Sequence, residues 1–129
     1  MPGIERFASG GPWEERFGYS RAVRAGDLLF VAGTTAIDED GVVRGIGDAG
    51  AQTEFVLDRI AAALAAAGAS MEQVVQTRMF ITDAGRAEEV GRAHGERFAA
   101  HPPASAMVEV AALLDPRMLV EIEAVAYVG

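Results

Sequence analysis

Apolar and polar positions along this chain repeat with two different periods, and the switches between them mark out its elements. Residues 17–25 repeat every second position: Phe17, Tyr19, Arg21 and Val23 share one face, while Gly18, Ser20, Ala22 and Arg24 share the other, which predicts a strand. Gly26-Asp27 is a turn signal, and the apolar run 28–32 predicts a buried second strand ending at Gly33-Thr34-Thr35. Asp38 to Gly41 marks a second turn. The period then lengthens. Val56, Ile60, Ala63, Leu64 and Ala67 form the stripe of a helix, with Asp48 as its N-cap and Gly68 just past its end. Its many alanines predict close packing on a sheet. Ser70 with Gln73 reads as a capping box for a short turn, and 74–81 as a third strand. A second helix is expected over 85–100, stopped by His101-Pro102-Pro103. Residues 104–113 and 119–128 alternate again and predict a closing β-hairpin around Asp115-Pro116. Residues 1–12, rich in Gly and Pro, predict an irregular lead-in.

This order, β-β-α-β-α-β-β, predicts a single α+β domain over residues 1–129, a mixed sheet with two helices on one face. In the last strand Val120, Ile122, Ala124, Ala126 and Val128 must face those helices. The opposite face carries Leu119, Glu121, Glu123, Val125 and Tyr127, and it must meet water or a partner's equivalent surface. In a simple hairpin Glu109 falls opposite Glu123, with Glu121 one pair away. Like charges so placed destabilise a sheet unless a cation neutralises them, and Arg21, Arg78 and Arg117 are available. Left desolvated, such carboxylates have raised pKa values, which suits a general acid or base. Without other information, an ion-pair network at a subunit interface is the plainer use of these groups.

Composition narrows the chemistry. The chain has 129 residues, no cysteine and no lysine, and a net charge of −8. Thiol nucleophiles, thiolate metal sites, disulfides and Schiff-base lysines are thereby excluded. His94 and His101 are too far apart for the usual helical zinc motifs, so no metal is expected. The acidic balance disfavours nucleic acid as a partner. No segment has the length of a membrane span and no secretory leader is recognisable, which predicts a cytoplasmic protein.

Several segments resemble one known family in the right order. Residues 103–113, Pro-Ala-Ser-Ala-Met-Val-Glu-Val-Ala-Ala-Leu, followed by 120–126, Val-Glu-Ile-Glu-Ala-Val-Ala, are similar to the closing signature of the RidA (YjgF) family. Tyr19, the turn Ala32-Gly33-Thr34 and the segment 78–83, Arg-Met-Phe-Ile-Thr-Asp, match upstream motifs. The resemblance implies a chorismate-mutase-like fold and a homotrimeric barrel with small-molecule clefts between subunits. It further implies hydrolytic deamination of reactive imines and enamines such as 2-aminoacrylate, without metal or organic cofactor. It implies a catalytic role for Glu121 and ligand contacts from Tyr19, Gly33, Thr34, Ser105 and Met107, while Arg21, predicted on the same face as Tyr19, is the candidate for a relocated anion clamp. The chain departs from the family at one decisive place. Deaminating members carry an arginine that grips the substrate carboxylate where this chain has Ser105, which offers neither the charge nor the fork geometry. Met107 stands where cysteine is common. The expectation is a divergent member. Either it deaminates a different imine or carbonyl-derived metabolite, or it is a non-catalytic trimer that binds a small carboxylate.

Each candidate also has a plainer use. Tyr19 serves equally as a half-buried strand aromatic, Gly33 as a strand-end turn, and Arg21 as a salt-bridge partner of Glu109 or Glu123. Ser105 is expected to be a hydrogen-bond donor rather than a nucleophile, because no base is in view. Met107 shapes a pocket wall, Trp13 and Glu14 pack before the first strand, and His94 faces solvent. Ribonuclease activity, also attached to this family, finds no basic patch to support it.

Overall fold

The computed structural model describes residues 2–129. Its centre is the strand whose alternation was clearest, β6 (Val120–Tyr127). Val120, Ile122, Ala124 and Ala126 are wholly buried, whereas Glu121, Glu123 and Val125 are half-buried on the other face. The remaining strands are β1 (Ile4–Phe7), β2 (Ala22–Ala25), β3 (Leu28–Thr35), β4 (Val74–Ile81) and β5 (Ala104–Glu109). They form one mixed sheet in the order β1-β2-β3-β6-β4-β5. Helix α2 (Ala49–Ala66) packs against β3 and β6, and α3 (Ala87–Phe98) packs on α2 over the same face. Leu29, Leu57, Ile60, Leu64, Phe98 and Ile122 fill the layer between.

The helices stop and start where the sequence dictates. The Asp48 carboxylate accepts from the Ala51 N–H at 2.9 Å, and Gly68, at φ 80°, lets Ala69 N–H reach the Leu64 carbonyl. The Ser70–Gln73 capping box is formed in both directions.

Five expectations are corrected. First, 104–128 is not a hairpin. β5 pairs in parallel with β4, and β4 separates it from β6. Period-two alternation fixes which face a side chain takes, not which strand it pairs with. A connection of ten residues gives the chain freedom to skip a position. Glu109 therefore lies beside Ile81 at the sheet edge, its carboxylate accepting from the Ala84 N–H, far along the sheet from Glu123. Second, 17–25 is not one strand. Pro12 at the first helical turn, Glu14 and Glu15 after it, and Gly18 in the left-handed region build a short helix α1 (Pro12–Phe17). Tyr19 and Arg21 then lie in the loop before β2. Third, 1–12 is not wholly irregular, because β1 adds an edge strand to β2. Fourth, the run 28–32 is only half buried: Leu29 and Val31 enter the core, while Leu28 and Phe30 stand out from the helix-free face. The second helix is also shorter than expected, a 3₁₀ turn over Ala84–Arg86 preceding α3.

Candidate functional site

The site forms where β3 ends. Its pairing with β6 slips by one residue between Val31 and Thr34, a bulge occupied by Ala32 and Gly33. Glu121 is paired with Thr35 just beyond, and its carboxylate rests against Gly33, where any Cβ would run into it. Gly33 thus makes room for the acid, a firmer reason for glycine than turn geometry. Burial, then the neighbouring Glu123 charge, push the Glu121 carboxyl above its ordinary value, and Arg21 partly opposes them. Glu123 itself is held across strands by Arg78, its register partner.

Arg21 is buried beneath this bulge. Its Nη1 donates to Thr34 Oγ1 at 2.9 Å and to the Gly33 carbonyl at 3.3 Å. Its Nη2 reaches only the Tyr19 hydroxyl, at 3.5 Å, and its Nε has no acceptor, Glu14 Oε2 being 3.6 Å away. Two of its donors therefore have capacity to spare. Glu14, not Glu109 or Glu123, is its ionic partner. The Glu14 carboxylate accepts from the Ser9 amide and hydroxyl. Burial raises its pKa, but those bonds and Arg21 bring it below the usual carboxylate value. Arg59, from α2, donates to the Thr35 carbonyl at 2.8 Å. Burial, then the Arg21 charge, lower its pKa, while Tyr19 and Glu14 raise it. Two guanidiniums thus converge beside Tyr19. Arg59 was not foreseen, because a lone arginine on a helix has no signature until the helix is placed against the end of β3. Arg117 is committed elsewhere, to Asp115.

Ser105 and Met107 do not join this group within one chain. They pair with Thr77 and Met79, both buried beneath the helices, so they occupy the opposite face of the sheet from Glu121. Ser105 bonds to Thr77, and Thr77 to His94. His94 is therefore buried, not solvent-facing. Val90, His94 and Phe98 recur every fourth residue, and that stripe was the signal for it. On the helix-free face an open cleft of about 590 Å³ runs past Arg6, Tyr19, Phe30, Arg78, Glu123 and Val125. Among the described residues no three His, Asp or Glu side chains gather at metal-binding distance, and no helix is long and apolar enough to cross a membrane.

The model of the endoribonuclease L-PSP family matches residues 14–128. The chain belongs to this family, which is the YjgF/RidA family of the sequence resemblance. Among YjgF/RidA relatives, a RutC family protein of Pyrococcus horikoshii is 38% identical over 84% of this chain and 86% of its own. Protein DfrA of Myxococcus xanthus is 40% identical over 84% and 83%. The crystal structure of Rv2704 from Mycobacterium tuberculosis, described as a member of the YjgF/YER057c/UK114 family, superposes with a TM-score of 0.87. It is 46% identical, over 97% of this chain and 99% of that one. The YjgF gene product of E. coli gives 0.78 at 29% identity, over 95% and 92%.

Proposed function

We propose that this YjgF/RidA-family chain is a cofactor-free hydrolase of small imines or enamines bearing a carboxylate, working as a homotrimer. The observation that carries this reading is Arg21, buried beside Tyr19 and acting on Glu121 with donors to spare, with Arg59 next to it at the end of β3. Ser105 cannot grip a carboxylate, and this pair of guanidiniums supplies the missing positive charge from another part of the fold. Glu121 is the catalytic acid and base. Burial and the Glu123 charge raise its pKa above the ordinary carboxylate value, the direction that suits proton transfer. It takes a proton from water as the oxygen attacks the imine carbon. It returns that proton to nitrogen to give the carbinolamine, and the C–N bond then breaks as Glu121 passes the hydroxyl proton to the departing nitrogen, releasing ammonia and a keto acid. Tyr19, Gly33 and Thr34 line the carboxylate end. Ser105 and Met107, remote from Glu121 in one chain, act as the wall contributed by a neighbouring subunit.

Release of ammonia and keto acid from 2-aminoacrylate tests the proposal. Turnover above buffer is expected, falling at least about a hundredfold in Glu121→Gln. Arg21→Met is expected to raise KM more than it lowers kcat. A folded oligomer with no rate above buffer ends the reading for this substrate. Ser105 itself favours a second reading, a trimer that binds small carboxylates without turning them over. That reading predicts thermal stabilisation by pyruvate that survives Glu121→Gln. The net charge of −8 gives RNA cleavage no comparable support.

A further inference from the structure

A second group of reactive side chains lies on the other face of the sheet from Glu121 of the same chain, along the wall that the proposed function gives to a neighbouring cleft. Ser105 is exposed on the edge strand β5. Its Oγ is 2.6 Å from Thr77 Oγ1, which is 2.8 Å from His94 Nε2. Thr77 is fully buried and His94 nearly so, its ring packed on Phe98 with centroids 4.6 Å apart. The three polar atoms therefore make one chain from solvent to a buried imidazole. A hydroxyl has one proton to donate. Burial holds the His94 pKa below its ordinary value, and no charged side chain contributes to that shift, so the ring is neutral at neutral pH. When Nε2 accepts, Thr77 donates to it and Ser105 donates to Thr77. The Pro103 carbonyl, 3.5 Å from Ser105 Oγ, is a longer alternative acceptor for its proton.

We propose that Ser105 is a nucleophile whose base is His94, reached through Thr77, and that it takes small activated acyl groups. In the first step Ser105 Oγ bonds to the carbonyl carbon of an ester. Its proton passes to Thr77 Oγ1 as the Thr77 proton passes to His94 Nε2. The carbonyl re-forms as the bond to the leaving oxygen breaks, and that oxygen departs as an anion or takes the proton back along the same route. Water then attacks the acyl-serine, its proton again drawn to His94 through Thr77. The carboxylate leaves, and Ser105 recovers its proton. β5 lies at the edge of the sheet, and its outward N–H groups are assigned as donors to the oxyanion.

The test uses p-nitrophenyl acetate for turnover and a fluorophosphonate, with peptide mass mapping, for the nucleophile. Expected are p-nitrophenolate release above buffer and a single label on Ser105. The rate should rise with pH to a plateau whose midpoint lies below that of an ordinary histidine. Ser105→Ala, an exposed change that leaves the core untouched, should lose about a hundredfold or more. Thr77→Val should lose as much and Thr77→Ser should recover it. An unlabelled Ser105 in folded protein overturns the proposal, as does an undiminished rate in Ser105→Ala. Equal labelling in a folded Thr77→Val protein overturns the relay through Thr77.

Discussion

Gly33 separates the chemistry of the carboxylate site from the stability of the fold. A Cβ there meets the mobile end of the Glu121 side chain rather than backbone, so the carboxylate can swing aside. Gly33→Ala should therefore change stability by no more than about 1 kcal/mol. Imine hydrolysis should still fall about tenfold or more, because the acid is displaced from its working position. Thermal melts beside the ammonia assay read both. His94 carries a different signature. Its folded pKa is depressed below 6.5, so the unfolded chain binds the extra proton first. Stability from this group is complete above 6.5 and is lost as pH falls below it, down to the folded pKa. His94→Gln keeps a polar partner for Thr77 but does not titrate. Its melting temperature should fall less than that of the parent between about pH 7 and pH 5. An identical pH slope in the two proteins would show that His94 does not titrate between folded and unfolded states.

Period was legible in the sequence, whereas neighbours were not, and where the neighbour was misread, as for β5, the face was misread with it. The apolar stripe of β6, the limits of α2 and the span of β4 follow directly from period and caps. The placement of β5 beside β4 does not, since the same alternation fits either partner. The polar contacts that lock the long connection were equally silent. Gln52, fully buried on α2, donates through Nε2 to the Arg117 carbonyl and accepts through Oε1 from the Leu119 N–H, each at 2.8 Å. These partners lie 65 and 67 residues away, so no local pattern marks them. They hold the segment that delivers Glu121 into the sheet. Gln52→Ala strands both backbone groups and opens a cavity, and should cost about 2–4 kcal/mol in denaturant unfolding. Gln52→Glu keeps the bond from Leu119 and, while protonated, donates to the Arg117 carbonyl, so its stability should fall as rising pH ionises that buried carboxyl. The carboxylate site was half legible for the same reason. Glu121 and Gly33 are close in the pairing, but Arg59 reaches the end of β3 only through tertiary packing of α2.

One face of the sheet has no helices, and its residues are not those of a surface meant for water. Leu28 and Tyr127 sit opposite each other, 40% and 51% exposed, with Phe30 beside Val125 as the next pair at 45%. Val75 and Val108 extend the apolar area towards β5, also nearly half exposed. A continuous patch of this kind on a single chain marks an interface. Arg78 and Glu123 on this face neutralise each other, which lowers the cost of covering them. This supports the proposed trimer, in which the wall carrying Ser105 and Met107 meets the Glu121 group of a neighbour. Phe30→Asp places a charge in the middle of that face and leaves the core unchanged, because Phe30 contributes nothing to the layer beneath the helices. The variant should sediment as a folded monomer at about 10 μM, where the parent sediments as a trimer. Its far-ultraviolet circular dichroism should be unchanged. If the working cleft is shared between subunits, its imine hydrolysis should fall about a hundredfold with dissociation and return at concentrations that restore the trimer. A parent chain that sediments as a monomer, or a monomeric variant with full turnover, would place the whole site within one subunit.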